Sequence, residues 1–137
     1  MSTTLTLQIE HRRGDLFHYL PENAVLVHAF NARGVWSTGV ARTLRERYPS
    51  AFECCKAYCK SSNANELLGE VLLAQAYSTS SLMTASFIGC LFTRIDWGAP
   101  TAAEREHGYE KGVLEATETA MQALFDEVAE RCERARG

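Results

Sequence analysis

The segment Val27-His28-Ala29-Phe30-Asn31 runs out of an apolar stretch into Asn31 to Gly39 (NARGVWSTG), and a helical pattern begins immediately at Val40. Glycines such as Gly34 and Gly39 let main-chain N–H groups come close to a ligand. A helix N-terminus adds unpaired donors and a partial positive charge of roughly half a unit. Together these features favour an anion, a phosphate above all. Asn31, at the end of the apolar stretch, carries a carboxamide that can donate and accept toward a sugar hydroxyl or an attacking water. The spacing matches neither a Walker loop nor the dinucleotide fingerprint. On spacing alone, a plain strand-to-helix connector is the simpler reading.

Other residues hold chemistry with less pattern behind it. Gly14-Asp15 reads as a turn. Asp96-Trp97-Gly98 places an acid and an aromatic in a loop directly after a strand, where a site or an ordinary turn would serve equally. Trp36, in a polar loop, either caps the core or stacks over a ligand. His28 on an apolar strand is, by itself, most simply a hydrogen-bonded core histidine, and His18 and His107 sit in polar surroundings at the surface. The five cysteines (Cys54, Cys55, Cys59, Cys90 and Cys132) are odd in number and match no zinc spacing. They read as free thiols of a reducing compartment.

The elements that must position these residues follow from periodicity. Leu5, Leu7 and Ile9 alternate with polar residues, as in a half-buried strand. Ala24 to Phe30 is a continuous apolar run, short enough to be a strand covered on both faces. From Val40 the apolar residues recur at helical intervals (Val40, Ala41, Leu44, Tyr48) until Pro49 interrupts. A second helix is expected from Ser50 to Lys60 with Ser50 as its cap, followed by a polar loop from Ser61 to Glu66. Gly69 to Tyr77 and Ser86 to Arg94 are further strands, separated by the Ser/Thr-rich Ser78 to Ser81. Asp96 to Pro100 is a loop. The remainder is a long amphipathic helix lined on one face by Leu114, Met121, Leu124, Phe125, Val128 and Cys132. Its charge run from Glu127 to Arg136 is a solvated face.

Strand, crossover helix and strand are the grammar of an α/β sheet, and ligands in such sheets lie beyond the carboxyl ends of the strands. Asn31–Gly39 and Asp96–Pro100 both meet that description, and Gly14-Asp15 is a third candidate. With 137 residues, 46% of them apolar and 23% charged, the chain has the composition of one soluble globular domain, residues 1–137. Its net charge of −3, with cations scattered among acids, argues against a nucleic-acid partner. No apolar run is long enough to span a bilayer and no signal peptide is visible, so no membrane partner and a cytoplasmic, or additionally nuclear, location are expected. The number of subunits is left open.

Gly14-Asp15, His28-Ala29-Phe30-Asn31, Gly34-Val35-Trp36-Ser37-Thr38-Gly39-Val40-Ala41, Leu44 and Arg47-Tyr48-Pro49 together resemble the macrodomain family. The likeness is closest to its fungal ADP-ribose 1''-phosphate phosphatase branch. Leu68-Gly69 and Cys90-Leu91-Phe92-Thr93 fall where that branch has similar residues. The resemblance covers Leu5 to Thr93 well and the long helix loosely. It implies a three-layer α/β/α fold with a mixed central sheet, apparently truncated at the C-terminus, and a small nucleotide ligand, ADP-ribose or its 1''-phosphate.

The resemblance also implies roles. Asp15 accepts from the adenine amino group, Asn31 contacts the distal ribose, and Gly34, Val35, Trp36, Ser37, Thr38, Gly39 and Val40 wrap that ribose and its phosphate through main-chain amides. His28 becomes a candidate acid or base, which suits its near-neutral intrinsic pKa. Leu16, Ala29 and Thr93 complete the implied ligand-binding set. No cofactor and no metal are implied. The implied reaction is hydrolysis of the phosphate monoester of ADP-ribose 1''-phosphate, a by-product of tRNA splicing in the family's biology. A non-catalytic ADP-ribose-binding module or a degenerate macrodomain is the alternative, because two departures matter. Ser37-Thr38-Gly39 stand where the branch usually has three glycines, which narrows the loop and costs about 1 kcal/mol or more wherever a positive φ is required. The family pattern also continues past the long helix into a strand, a second phosphate loop and a final helix that this sequence does not contain.

Overall fold

A computed structural model describes residues 8–18, 20, 24–76 and 87–136. Three strands form one mixed sheet: β1 (Val25–Asn31), β2 (Val71–Gln75) and β3 (Phe87–Arg94), in the order β1-β3-β2. β1 runs parallel to β3, and β2 runs antiparallel to it. The carboxyl ends of β1 and β3 therefore open on the same rim. β3, in the middle, is buried along most of its length.

Helices cover both faces. α1 (Gly39–Arg47) and α2 (Pro49–Lys60) pack on the face that carries Leu26, Phe30, Ile88, Cys90 and Phe92, with Leu44, Tyr48, Phe52 and Cys55 closing the core. α5 (Tyr109–Arg136) covers the opposite face through Ala120 and Leu124 against Leu91. The result is the α/β/α sandwich with a mixed sheet that the sequence implies.

Several boundaries differ from the sequence reading, each for a physical reason. Pro49 does not merely end α1: it occupies the first position of α2, where its missing N–H removes nothing the helix would use. Tyr48, at φ −130 and ψ 66, is the N-cap and makes no side-chain capping bond. Ser50 thus lies inside the helix rather than capping it, with its Oγ 3.5 Å from the Gln75 carbonyl. The stretch read as a loop from Ser61 to Glu66 holds the start of a one-turn helix, α3 (Ala64–Leu67), because the Asn63 carboxamide accepts from Asn65 N–H and Leu67 is buried.

The C-terminal part is two helices rather than one. α4 (Ala102–Glu106) opens on a reciprocal capping box between Thr101 and Glu104, and the chain turns through Gly108 at φ +83 before α5. The buried stripe of α5 is Ala116, Ala120 and Leu124, whereas Leu114 (60% exposed) and Phe125 (39%) face outward and Cys132 is exposed. Small alanines lie against the sheet because they allow close approach, and a hydrophobicity pattern underweights them. Ile9 is 73% exposed in irregular backbone, so the strand expected around it is not formed at Gln8–Glu10. The rest of that expectation (Leu5, Leu7), and those for Tyr77, Ser78 to Ser81 and Ser86, lie outside the described residues.

Candidate functional site

The site begins at the end of β1, where the pairing with β3 slips: Phe30 faces Phe92, but Asn31 faces Arg94. Such an irregularity re-aims the side chain that follows it. Ala32 N–H then donates to the Arg94 and Ile95 carbonyls at 2.9 and 3.1 Å, so the loop after β1 is anchored to the end of β3. Arg33 Nε reaches Asp96 Oδ1 at 3.1 Å and joins the two loops a second time.

Asn31 organises the loop. Its Oδ1 accepts from Arg33 N–H and Val35 N–H, both at 3.1 Å, and its Nδ2 donates to the Val35 carbonyl at 2.7 Å. Both acceptor positions of the carboxamide oxygen are therefore occupied, and one N–H remains. The sequence reading that Asn31 both donates and accepts toward a ligand is narrowed: it has a donor to offer and no acceptor.

Gly34 makes this closure possible. It sits at φ +72, and a Cβ there would lie 3.1 Å from Lys56 Cα and 3.4 Å from Cys59 Cβ of α2. A Gly34→Ala substitution is expected to lower stability by roughly 2–3 kcal/mol, combining left-handed strain with a clash against helix backbone that cannot swing away. Urea unfolding checks this; an unchanged midpoint would contradict it.

Beyond Gly34 the loop divides. Trp36 turns inward, fully buried, its indole stacked on Phe30 at 4.3 Å between ring centroids and edge-on to Phe52 at 5.5 Å. Of the two roles open to Trp36, the structure gives it the core, so its side chain is no wall for a ligand. Ser37 and Thr38 stay exposed. Thr38 is extended (φ −140), so no positive-φ strain arises there, and its side chain makes no capping bond to α1. α1 also has no acidic residue in its first turn, which leaves its amide donors and positive end uncompensated by side chains. Gly39, at φ +58, turns the chain into that helix.

His28, Ala29, Phe30, Asn31, Val35, Ser37, Thr38 and Ala41 line a cavity of about 230 Å³, closed on its far side by Trp97 and Gly98. His28 is partly buried, edge-on to Phe30 at 5.3 Å, and burial lowers its pKa below the ordinary 6.5. It is therefore neutral at pH 7, as a proton acceptor must be.

Six of the residues singled out from the sequence thus meet here: His28, Ala29, Asn31, Val35, Ser37 and Thr38. Gly34, Trp36, Gly39 and Val40 shape the loop without lining the cavity. Asp15 and Leu16 lie apart from it: Asp15 Oδ1 accepts from Phe17 N–H at 2.9 Å, and Leu16 is 53% exposed. Thr93 is buried and opens onto a separate cavity beside Tyr109, Gly112 and Val113 of α5, because successive residues of β3 alternate faces. Phe30 and Ala41 are additions to the implied binding set, and Trp97 and Gly98 join it from the loop that the sequence offered as either a site or an ordinary turn. The position of the Asp96-Trp97-Gly98 loop, just after a strand, is the signal that points to Trp97.

The Macro domain family model matches residues 27–129. A curated relative from Chaetomium globosum, named "ADP-ribose 1''-phosphate phosphatase", is 38% identical over 131 residues, covering 93% of this chain and 67% of the relative. Among solved structures, the macrodomain of Mycobacterium tuberculosis DarG superposes with a TM-score of 0.61 at 22% identity, covering 86% of this chain and 66% of that one. Thermosipho africanus DarTG in complex with ADP-ribose superposes with a TM-score of 0.59 at 20% identity, covering 86% of this chain and 29% of that one.

Proposed function

From the premise that this chain belongs to the Macro domain family, we propose that it is an ADP-ribose 1''-phosphate phosphatase, hydrolysing the phosphate monoester to ADP-ribose and inorganic phosphate. The observation that carries the reading is the cavity in which His28, Asn31, Ser37 and Thr38 meet beside the N-terminus of α1.

Each group has a task. Main-chain amides of the loop, the first turn of α1 and the Ser37 and Thr38 hydroxyls surround the phosphoryl oxygens, where fixed donors stabilise charge that grows in the transition state. The remaining Asn31 N–H donates to the terminal ribose and holds it in place. Neutral His28 takes a proton from the attacking water as its oxygen bonds to phosphorus, and the bond from phosphorus to the 1''-oxygen breaks. That oxygen takes up a proton from the imidazolium, directly or through water, to leave as the hydroxyl of ADP-ribose and return His28 to its neutral form. Nothing in this sequence of steps calls for a metal. Gly34, Trp36, Gly39 and Val40 support the ligand through the backbone in this reading, and Asp15 and Leu16 at its far end, whereas Thr93 faces the separate cavity beside α5. A cytoplasmic setting and a substrate arising from tRNA splicing belong to the same proposal. Among the described residues no helix is long and apolar enough to cross a membrane.

The test is phosphate release from ADP-ribose 1''-phosphate by the purified protein beside Asn31→Ala. Alanine frees Val35 N–H, Val35 O and Arg33 N–H from their partner at once, so the loop loses its closure. Because misplacement by about 1 Å can lower a rate roughly a hundredfold, kcat/KM should fall by about that factor. Equal turnover by the two proteins would remove Asn31 from the mechanism, and no release by either would end the phosphatase reading. One observation favours a second reading, ADP-ribose binding without turnover: among the described residues no lysine or arginine lines the cavity, and His28 is its one titratable residue. Calorimetry showing tight ADP-ribose binding with no phosphate released would select it.

A further inference from the structure

The chain has two tryptophans, and the structure assigns them opposite lives: Trp36 is fully buried, while Trp97 is 53% exposed at the mouth of the cavity that holds His28 and Asn31. A large aromatic left in water beside a polar pocket has no role in the core, and its loop is held with unusual care. Arg94 Nε and Nη2 clasp Glu104 at 2.8 and 2.6 Å, while Nη1 and Nη2 donate to the consecutive Gly98 and Ala99 carbonyls just after Trp97. The guanidinium lies over the Tyr109 ring at 5.2 Å and is only 12% exposed. Glu104 is itself fixed by the capping box with Thr101, and the Arg94 guanidinium pulls its carboxyl down to about 2, so the pair stays charged throughout the neutral range.

We propose that Trp97 is a specificity-determining contact that packs its indole face on the terminal ribose of the ligand, and that Arg94 is the residue that positions it. The inference rests on the ADP-ribose reading above. A cavity of about 230 Å³ lies below the roughly 300–1,000 Å³ typical of whole small-molecule sites, so it receives one end of a nucleotide rather than all of it. The phosphate donors and Asn31 sit within that cavity, and the sugar bearing the phosphate must lie next to them. An indole face is electron-rich, so it repels a phosphate and meets the C–H face of a sugar favourably. Asp15, to which the family resemblance gives the adenine, does not line this cavity, so in this reading the adenine end lies outside it.

Tryptophan emission reads this directly, because Trp36 is sealed and Trp97 is the accessible fluorophore. ADP-ribose should change the emission and shield Trp97 from acrylamide, ribose 5-phosphate should do so at higher concentration, and ADP, which lacks the terminal ribose, should not. Trp97→Ala should abolish the signal and weaken ADP-ribose binding about fivefold to tenfold, with Trp97→Phe retaining most of the affinity. Arg94→Lys, which keeps the charge but loses the planar fork, should weaken binding similarly and raise acrylamide quenching of the free protein while Trp36 emission is unchanged. An ADP signal equal to that of ADP-ribose would overturn the ribose assignment. ADP-ribose binding that calorimetry finds unaltered in Trp97→Ala would overturn the contact itself. If calorimetry finds no ADP-ribose binding by the folded wild-type chain, the proposed function fails first and takes this contact with it.

Discussion

His28→Ala is expected to reduce kcat/KM for ADP-ribose 1''-phosphate by about 10²- to 10⁴-fold, the usual contribution of a positioned general base. The fold should survive, because His28 is only partly buried and its ring contact with Phe30 is T-shaped, at 5.3 Å between centroids. The pH profile provides an independent signature. Burial disfavours the imidazolium, so the pKa of His28 in the folded protein lies below 6.5. The base works when neutral. The kcat/KM profile should therefore be flat through neutrality and fall as the pH drops through that lowered value, and His28→Ala should remove this acid limb along with most of the rate. The same displacement has a stability consequence of fixed sign. Below pH 6.5 the unfolded chain binds the proton before the folded one does, so stability is lost as the pH falls toward the folded-state pKa. A profile in which the acid limb persists unchanged in His28→Ala would show that another group takes the proton.

Trp36→Ala should destabilise the protein by about 3–5 kcal/mol, the range for deleting a large aromatic from a packed core. Against a total stability of roughly 5–15 kcal/mol, that loss is enough to leave a sizeable unfolded fraction. The indole stacks on Phe30, meets Phe52 edge-on and has no solvent exposure, so its removal empties the joint between β1, the loop and α2. Urea denaturation followed by far-UV circular dichroism measures the effect without relying on the missing fluorophore. Trp97→Ala is the matched control: exposed in a loop, it should shift stability by no more than about 0.5 kcal/mol. Similar losses from the two substitutions would contradict the inward placement of Trp36.

That contrast marks the boundary between what could be read in the chain and what could not. The continuous apolar run from Ala24 to Phe30, the helical intervals from Val40 and the interruption at Pro49 identify β1, α1 and α2 to within a residue or two, although β1 is covered on one face only, with Val27 and Ala29 exposed on the other. His28 and Asn31 are legible as a pair only through the family resemblance: three residues apart on a regular strand they would point to opposite faces, and in the structure the pairing slips between Phe30 and Asn31. Where the pattern is short, capping chemistry overrides it, as with α3 behind Asn63 and α4 behind Thr101.

The amino-acid sequence by itself determined the alternation of strands and helices, the strand-to-helix loop and, through the residues of that loop, the family to which the chain belongs, since all of these are carried by residues close together along the chain. Only the tertiary structure decided which tryptophan is core and which faces the cavity, that Thr93 opens toward α5, that Asn31 has its acceptors filled, and that Arg33 meets Asp96 across 63 residues. A loop has no period to reveal which way a side chain points. The rim of this site exists because β1 and β3 pair in parallel and bring two remote loops to one edge, and that pairing is a contact between distant segments that no local spacing records.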